Sequence, residues 1–179
     1  LINNMAQWAN IDAFKLLKMT FGGSGYDIAC AQHNIPVTYQ LHNGKPLVKE
    51  VSFNPSFKQQ LYFVYLNKKQ NSREGIAQYK LSKPNELLID AISKISHKII
   101  HSKSLLEFES LITLHEDYIS QIIKQKPIKE LLFNDFKGCI KSLGAWGGDF
   151  ILVTSLEDPS VYFKSKGFST IIPFSNLIL

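Results

Sequence analysis

The chain has 179 residues, of which 45% are apolar, 12% aromatic and 20% charged, and its formal net charge is +5. This composition is typical of a folded globular protein and excludes intrinsically disordered and collagen-like chains. No run of about 18 apolar residues occurs, so no membrane-spanning helix is expected. The length allows one large domain or two small ones.

The basic excess consists almost entirely of lysine, because Arg73 is the only arginine. Scattered lysines are typical of a solvated surface, whereas nucleic-acid recognition relies heavily on arginine. We therefore expect no nucleic-acid partner, while the charge keeps a basic nucleic-acid-binding module open as an alternative. Cys30 and Cys139 form neither a disulfide framework nor a zinc site, and each is expected to pack as a small apolar residue in a reducing cytoplasm.

The first part of the chain predicts a helix followed by strands. Apolar residues from Ile2 to Leu17 follow a helical stripe that should end before Gly22-Gly23. Residues 25–31 predict a turn that leads into a short helix or strand. Three segments rich in β-branched and aromatic residues predict strands: residues 36–41, 47–53 and 61–66. The first two strands are joined by His42-Asn43-Gly44-Lys45, and the Asn-Gly pair favours a hairpin.

The second part predicts three amphipathic helices and two strands. The helices are indicated by apolar stripes from Leu88 to Ile99, from Phe108 to Ile122 and from Leu132 to Ile140. A glycine cluster follows the third helix. After it we expect a strand at 150–154, a short helix beyond Asp158-Pro159 and a closing strand at 169–174. This order of elements favours an α+β fold.

The segment Gly22-Gly23-Ser24-Gly25-Tyr26-Asp27 is the first that can carry chemistry. Its glycines let the backbone turn sharply and approach a ligand. An aspartate at the rigid exit of such a turn can orient a substrate hydroxyl or accept its proton. The alternative interpretation is structural, with a helix C-cap followed by an aspartate that caps the next helix.

A second glycine-rich segment, Gly144-Ala145-Trp146-Gly147-Gly148-Asp149, lies between a predicted helix and a predicted strand. Successive backbone amides in such a turn can hold an anion. The spacing matches neither the dinucleotide fingerprint nor the Walker A loop. A plain tight connection is the alternative interpretation.

Taken together and in this order, the two segments resemble two of the three signature motifs of the GHMP kinases, which include galactokinase, homoserine kinase, mevalonate kinase and phosphomevalonate kinase. Ser24 to Asp27 resembles the family's S-G-x-D segment, and Gly144 to Asp149 resembles its third, glycine-rich motif. Asn71-Ser72-Arg73 resembles the N-T-R or S-T stretch of mevalonate kinases. The string Gly25-Tyr26-Asp27-Ile28-Ala29 is similar to the GYDIA-type branch of the superfamily.

The resemblance implies an ATP- and Mg²⁺-dependent kinase that transfers the γ-phosphoryl group to a small-molecule hydroxyl or phosphate. The expected acceptors are mevalonate or phosphomevalonate in isoprenoid synthesis. Asp27 corresponds to the family's catalytic aspartate. The resemblance also implies substrate contacts from Ser24, Gly25, Ser72, Gly147 and Gly148, and nucleotide-phosphate contacts from Gly144 and Ala145.

The implied architecture is an α+β GHMP kinase fold. Residues 1–57 correspond to the end of a ribosomal-S5-like domain, and residues 58–179 correspond to a ferredoxin-like C-terminal domain. The family's phosphate-binding loop, P-x-x-x-G-L-G-S-S-x-A, precedes the helix that resembles the start of this chain, and that loop is absent here. We therefore expect the chain to be the C-terminal portion of a longer kinase and to be inactive alone.

Two departures from the family pattern leave an alternative open. Leu16 occupies the position of the magnesium-binding glutamate of mevalonate kinases, so the metal ligand is unassigned, and Trp146 replaces a glycine. A non-catalytic ligand-binding or scaffold protein of the same fold is the alternative. His115, on the apolar stripe of its helix, is expected to be a core histidine, and the pair His97 and His101 is expected at the surface. Neither the acceptor nor the oligomeric state follows from the sequence.

Overall fold

The protein is described by a computed structural model of residues 1–69, 76, 77, 79, 81, 82, 85–144, 146 and 148–178. The chain divides into two compact units, Leu1–Phe53 and Asn54–Leu179. The expected domain boundary was at residue 57, and the assignment of the two units to S5-like and ferredoxin-like domains stays a prediction. None of the helices in the described ranges is long and apolar enough to cross a membrane.

The N-terminal unit consists of three short helices and one β-hairpin. The elements are α1 (Ile2–Trp8), α2 (Ala13–Met19), α3 (Tyr26–Ala31), β1 (Val37–His42) and β2 (Lys45–Glu50).

The prediction of a single helix through Leu17 is wrong, because the chain breaks between α1 and α2. Asn10 adopts a left-handed φ of 52°, which no α-helix accommodates. Asp12 then caps α2 by accepting a 2.7 Å hydrogen bond from the backbone amide of Lys15. The small core of this unit is formed by Ala6, Ala13 and Ile28, with Ile2, Phe14, Leu16 and Leu17 packed against it.

The hairpin of the N-terminal unit confirms the sequence prediction. Val37 lies opposite Glu50, and His42 lies opposite Lys45. The two turn residues, Asn43 and Gly44, have φ values of 50° and 73°. Two left-handed residues in succession define the turn that matches the twist of paired strands, which is why Asn-Gly favours it.

The C-terminal unit alternates strands and helices. The elements are β3 (Leu61–Tyr65), α4 (Glu86–His101), α5 (Leu105–Ile123), α6 (Ile128–Leu132), β4 (Ile140–Ser142), β5 (Phe150–Thr154), α7 (Ser160–Ser165), β6 (Ile171–Pro173) and α8 (Phe174–Leu177). A 3₁₀ turn at Lys58–Gln60 precedes β3.

The four strands of this unit form one antiparallel sheet with the order β4-β5-β3-β6. Helices separate β3 from β4 and β5 from β6, whereas β4 and β5 are consecutive strands, as in the split β-α-β arrangement of ferredoxin-like folds. In the central pair, Leu61 lies opposite Thr154 and Tyr65 lies opposite Phe150. The predicted α+β class is therefore confirmed.

The predicted helix from Leu132 to Ile140 is wrong, since α6 ends at Leu132 and Ile140 begins β4. Phe133 and Phe136 turn into the core instead, where they are 0% and 9% exposed. Gly138 then passes so close to β5 that a Cβ atom there would lie 1.8 Å from the carbonyl oxygen of Thr154. The closing strand is also shorter than predicted, because α8 begins at Phe174.

Aromatic and aliphatic side chains fill the space beside the sheet. The ring centroid of Phe133 lies 5.2 Å from that of Phe163 and 5.3 Å from that of Phe168. The buried cluster comprises Val64, Leu66, Ile128, Phe133, Phe136, Ile140, Ile151, Val153 and Phe163. This core fixes the hairpin formed by β4 and β5, whose loop carries the second glycine segment.

Candidate functional site

The first glycine segment forms the turn between α2 and α3. Gly22, Gly23 and Gly25 have φ values of 68°, 107° and 84°, a region that glycine adopts without steric cost. Gly25 is the N-cap of α3, and Asp27 lies in the first turn of that helix. The alternative in which Asp27 caps α3 is therefore wrong, because the residue at the capping position is Gly25.

Side chains from α2 and β1, together with Ser24 of the turn itself, hold this turn in place. The hydroxyl oxygen of Ser24 accepts a 3.3 Å hydrogen bond from the backbone amide of Tyr26. The carbonyl oxygen of Ser24 accepts a hydrogen bond from the hydroxyl of Tyr39 on β1. Gly25 is buried, and a Cβ atom there would lie 2.7 Å from the ring of Phe14. Ser24 and Gly25, both predicted to contact substrate, thus have a clear structural role in shaping the turn.

Asp27 is the carboxylate that this turn presents to solvent. Its side chain is exposed and takes part in no hydrogen bond or ion pair within the described ranges. The carboxylate is therefore free to bind a ligand hydroxyl or a cation. This is the side chain that the sequence predicts as catalytic.

Tyr26 provides a neutral aromatic group next to Asp27 in the sequence. Its ring meets that of Tyr39 edge to face, with the centroids 5.8 Å apart. Partial burial, together with the neighbouring Cys30 thiol, raises the pKa of Tyr26 to about 12. The phenol therefore stays protonated at neutral pH. Cys30 itself is exposed, contrary to the expectation that it packs as an apolar residue, whereas Cys139 is buried as expected.

The second glycine segment forms the loop between β4 and β5. Gly144 is exposed with a φ of 65°, Gly148 is buried, and Trp146 and Asp149 also have positive φ values of 50° and 55°. Left-handed backbone at non-glycine residues stores strain of about 1–3 kcal/mol and is frequent at functional sites. Three predicted contact residues, Ser72, Ala145 and Gly147, lie outside the described residues.

Backbone hydrogen bonds attach the end of this loop to the residues that follow β3. The amide of Asp149 donates to the carbonyl of Lys68 at 2.6 Å, and the carbonyl of Asp149 accepts from the amide of Leu66 at 2.7 Å. The C-terminal end of the loop is thus tied to the residues that directly follow β3.

A buried polar cluster at the N-terminal end of the loop was not predicted from the sequence. Glu116 on α5 is 6% exposed. One of its carboxylate oxygens accepts a 3.0 Å hydrogen bond from the backbone amide of Ser142, and the other accepts a 3.2 Å bond from the ammonium of Lys141. Glu116 lies on the apolar stripe of α5, at helical spacing from Phe108 and Ile112. A carboxylate at such a core-facing position is the sequence signal that could have identified Glu116 as a buried polar residue.

The Lys141 ammonium has an acceptor for each of its three N–H groups. Besides Glu116, it lies 3.3 Å from Nδ1 of His115 and 3.3 Å from the carbonyl oxygen of Ser142. Because an ammonium can only donate, Nδ1 of His115 is the accepting nitrogen of the neutral ring. His115 is thus a satisfied, largely buried histidine, as the sequence predicts.

The charge states of this cluster follow from its burial and its neighbours. Burial, with the nearby Lys141 charge, lowers the pKa of His115 below its usual 6.5. For Glu116, burial alone raises the pKa, but hydrogen bonding and the charge of Lys141 outweigh it, so the pKa falls below 4.5. At neutral pH the cluster therefore contains a carboxylate, an ammonium and a neutral imidazole.

Metal-ligating side chains do not gather in the part of the chain that the structure describes. No group of three or more His, Cys, Asp and Glu residues occurs there. His97 and His101 are exposed, as expected. Leu16 packs against the core of the N-terminal unit, and Asp12, the nearest acid upstream of the turn, is engaged in capping α2.

Solved structures of other proteins resemble this chain, among them one from L. major and one from Listeria innocua. The mevalonate kinase of L. major, solved in complex with R-mevalonate, aligns with 93% of this chain and 54% of its own, with a TM-score of 0.61 and 18% sequence identity. The Lin0012 protein of Listeria innocua aligns with 96% of this chain and 62% of its own, with a TM-score of 0.68 and 16% identity. The chain has a GHMP-kinase-like fold. No protein-family profile and no curated protein sequence matches it.

The GHMP-kinase-like fold confirms the architecture that the two glycine segments imply. At 16–18% identity the likeness concerns the fold alone. The chain spans between half and two thirds of the length of these two neighbours, 54% and 62%. The roles of individual residues therefore depend on the geometry described above.

Proposed function

We propose that this chain is part of an ATP-dependent GHMP-type kinase that phosphorylates a small molecule, with mevalonate or phosphomevalonate as acceptor, in cytoplasmic isoprenoid synthesis. The observation that carries the proposal is the exposed Asp27 carboxylate, which has no internal partner in the described ranges and is held on a glycine turn. The likeness in fold to a mevalonate kinase that binds R-mevalonate supports the choice of acceptor.

In this proposal Asp27 acts on the acceptor hydroxyl. The acceptor oxygen forms a bond to the terminal phosphorus of ATP while the bond from that phosphorus to the ADP oxygen breaks. The acceptor proton passes to the Asp27 carboxylate. Because phosphoryl transfer has a loose transition state, the orientation of the hydroxyl contributes more than the basicity of the carboxylate. A side chain free of internal hydrogen bonds is suited to both tasks.

The residues present fit a nucleotide and a magnesium ion only in part. Mg²⁺ keeps several waters and needs one or two carboxylates besides the phosphates. Asp27 offers one such carboxylate, and Leu16 offers none. The exposed backbone at Gly144 is suited to a phosphate oxygen. Magnesium, when bound, would neutralise the charge that develops on the phosphates.

We further propose that the longer protein supplies the remainder of the nucleotide site. The neighbours in fold exceed this chain in length, since it spans 54% and 62% of them. Several large apolar side chains of the N-terminal unit are exposed: Trp8 at 90%, Met19 at 76% and Phe21 at 64%. Apolar surface of this kind is normally covered. A further segment of the protein that packs on it would also carry the phosphate-binding loop.

A non-catalytic relative is the second candidate function. The observation that favours it is Leu16, which packs in the core of the N-terminal unit where mevalonate kinases carry a magnesium-binding glutamate. Such a protein would bind the acceptor or the nucleotide without turnover.

The two candidates are separated by one set of assays on the full-length protein. ADP release is measured with Mg·ATP and a panel containing mevalonate, phosphomevalonate, homoserine and galactose, and binding of each compound is measured by calorimetry. The kinase proposal predicts acceptor-dependent ADP release with one member of the panel. Binding of ATP or an acceptor without any ADP release would instead establish the non-catalytic relative.

A further inference from the structure

We infer that Glu116 is a positioning residue for the glycine loop of residues 144–149, acting through the backbone of Ser142. The consequence for catalysis rests on the proposed function, whereas the effect on the loop itself does not.

The edge position of β4 explains why an outside group is needed. The sheet order is β4-β5-β3-β6, so β4 pairs with β5 on one side only. The amide of Leu143 donates to the carbonyl of Phe150 on β5 at 3.1 Å, whereas the amide of the preceding residue, Ser142, donates to Glu116. Alternate amides of an edge strand point away from the sheet and need another acceptor. Glu116 supplies it at Ser142, the last residue of β4 and two residues before Gly144.

The burial of Glu116 means that its carboxylate needs the partners that this position provides. A carboxylate removed from water is destabilising unless hydrogen bonds and an opposite charge compensate it. Here both oxygens are used, one by the Ser142 amide and one by the Lys141 ammonium. The cluster therefore fixes β4 in one position relative to α5, because any displacement would leave a buried charge without a partner.

Trp146 connects the same cluster to the middle of the loop. This half-buried residue lines a small cavity of about 40 Å³ together with Glu116, Ser142 and residues at the end of α5. Glu116 thus binds the last residue of β4 and lines the same cavity as a residue within the loop. A change in its position would alter the path of the backbone from Gly144 onward.

Glu109 provides a matched control on the same helix. Its carboxylate accepts a hydrogen bond from the hydroxyl of Thr154, whose oxygen in turn accepts from the amide of Cys139 at 2.7 Å. Glu109 thus links α5 to the same pair of strands, but at the ends of β4 and β5 that are remote from the loop. A substitution there weakens the contact between helix and sheet without touching the loop.

The first test is amide hydrogen exchange of the Glu116→Gln and Glu109→Gln variants. A glutamine at position 116 replaces one carboxylate oxygen by an NH2 group, so that a donor faces either the Ser142 amide or the Lys141 ammonium, which are donors themselves. We expect the backbone amides of residues 142–144, 146 and 148–150 to exchange about tenfold faster in Glu116→Gln than in wild type. In Glu109→Gln the same amides should exchange less than about twofold faster than in wild type. Equal effects of the two variants, or no effect of Glu116→Gln, would overturn the inference.

A double variant tests the route through Ser142. Replacing Lys141 by Met in the Glu116→Gln background removes the competing donor, so the glutamine oxygen can accept from the Ser142 amide alone. The exchange rates should return to within about threefold of wild type. Rates that stay as fast as in the single variant would contradict positioning through Ser142.

The second test is kinetic and uses the full-length protein. Misplacing the loop weakens substrate and nucleotide binding, so Glu116→Gln should raise the KM for ATP or acceptor by about fivefold or more. Glu109→Gln should leave both KM values unchanged. A fall in kcat alone, with unchanged KM, would indicate lost folded protein and contradict the inference. If the wild type transfers no phosphoryl group, the proposed function fails, and hydrogen exchange alone decides the role of Glu116.

Discussion

The buried carboxylate of Glu116 accepts a 3.0 Å hydrogen bond from the backbone amide of Ser142, the last residue of β4. Lys141, the residue before it, binds the other carboxylate oxygen at 3.2 Å. A charged side chain of α5 therefore fixes the start of the glycine loop, while backbone pairing to Leu66 and Lys68 fixes its end. The loop is held from two directions by groups that lie outside its own sequence.

This cluster predicts a loss of stability on mild acidification. The pKa of His115 lies below its usual 6.5 and that of Glu116 below its usual 4.5. In each case the unfolded chain takes up a proton at a higher pH than the folded chain, so stability is fully present above the unfolded pKa and is lost as pH falls. The free energy of unfolding from urea titrations should thus decline from pH 6.5 downward, with a further decline below 4.5.

The His115→Gln variant is the control for this pH dependence. Glutamine can still accept a hydrogen bond from Lys141 but does not titrate. Its free energy of unfolding should therefore vary less with pH than that of wild type between 6.5 and 4.5, the range in which His115 titrates in the unfolded chain. An identical pH dependence in the variant would show that His115 is not the group responsible.

Gly138 allows the close approach that replaces the predicted helix from Leu132 to Ile140 by a turn. A Cβ atom at this position would lie 1.8 Å from the carbonyl oxygen of Thr154, so backbone has to move. We expect Gly138→Ala to lower the free energy of unfolding by about 3 kcal/mol or more. An alanine at position 167 would have open space around its Cβ atom but a φ of 89°. Gly167→Ala should therefore lower the free energy of unfolding by only about 1–2 kcal/mol, through backbone strain. Urea denaturation of both variants measures the difference, and equal losses would contradict the contact.

Gly25 should be the most sensitive glycine of the first segment. An alanine there combines a φ of 84° with a Cβ atom 2.7 Å from the ring of Phe14, whereas Gly23 has open space around it. Gly25→Ala should therefore destabilise the chain by about 1–3 kcal/mol more than Gly23→Ala, as judged from denaturation midpoints. In the full-length protein it should also lower kcat further, because Asp27 is carried by this turn. Equal stability of the two variants would mean that Phe14 moves aside freely.

Much of the fold followed from local patterns in the sequence. The Asn43-Gly44 turn and the strand at 150–154 are confirmed because turn chemistry and β-branched runs act over a few residues. The helix predicted from Leu132 to Ile140 was wrong because the apolar spacing suits a helix. The actual course of the backbone depends on the close approach of Gly138 to the carbonyl oxygen of Thr154, on a strand distant in sequence. Contacts of that kind leave no local signal.

The candidate site divides in the same way. The exposed position of Asp27 on a glycine turn agrees with the sequence prediction because that turn is contiguous in sequence, while its catalytic role stays a prediction. Glu116 could not be assigned a partner, since the amide that it binds belongs to Ser142, on a strand that the sequence did not predict. The break between α1 and α2 had a signal in Asp12, a good capping residue within the apolar stripe.

The most direct test of the proposed function is the kcat of Asp27→Asn in the full-length protein, with Asp12→Asn as control. Both are exposed aspartates of the N-terminal unit, and asparagine retains the capping ability that Asp12 uses. Removing a group that orients or deprotonates the acceptor should lower kcat by about 100-fold or more in Asp27→Asn, with Asp12→Asn within about twofold of wild type. Full kcat in Asp27→Asn with the accepted substrate would contradict the assignment of Asp27 as the catalytic residue.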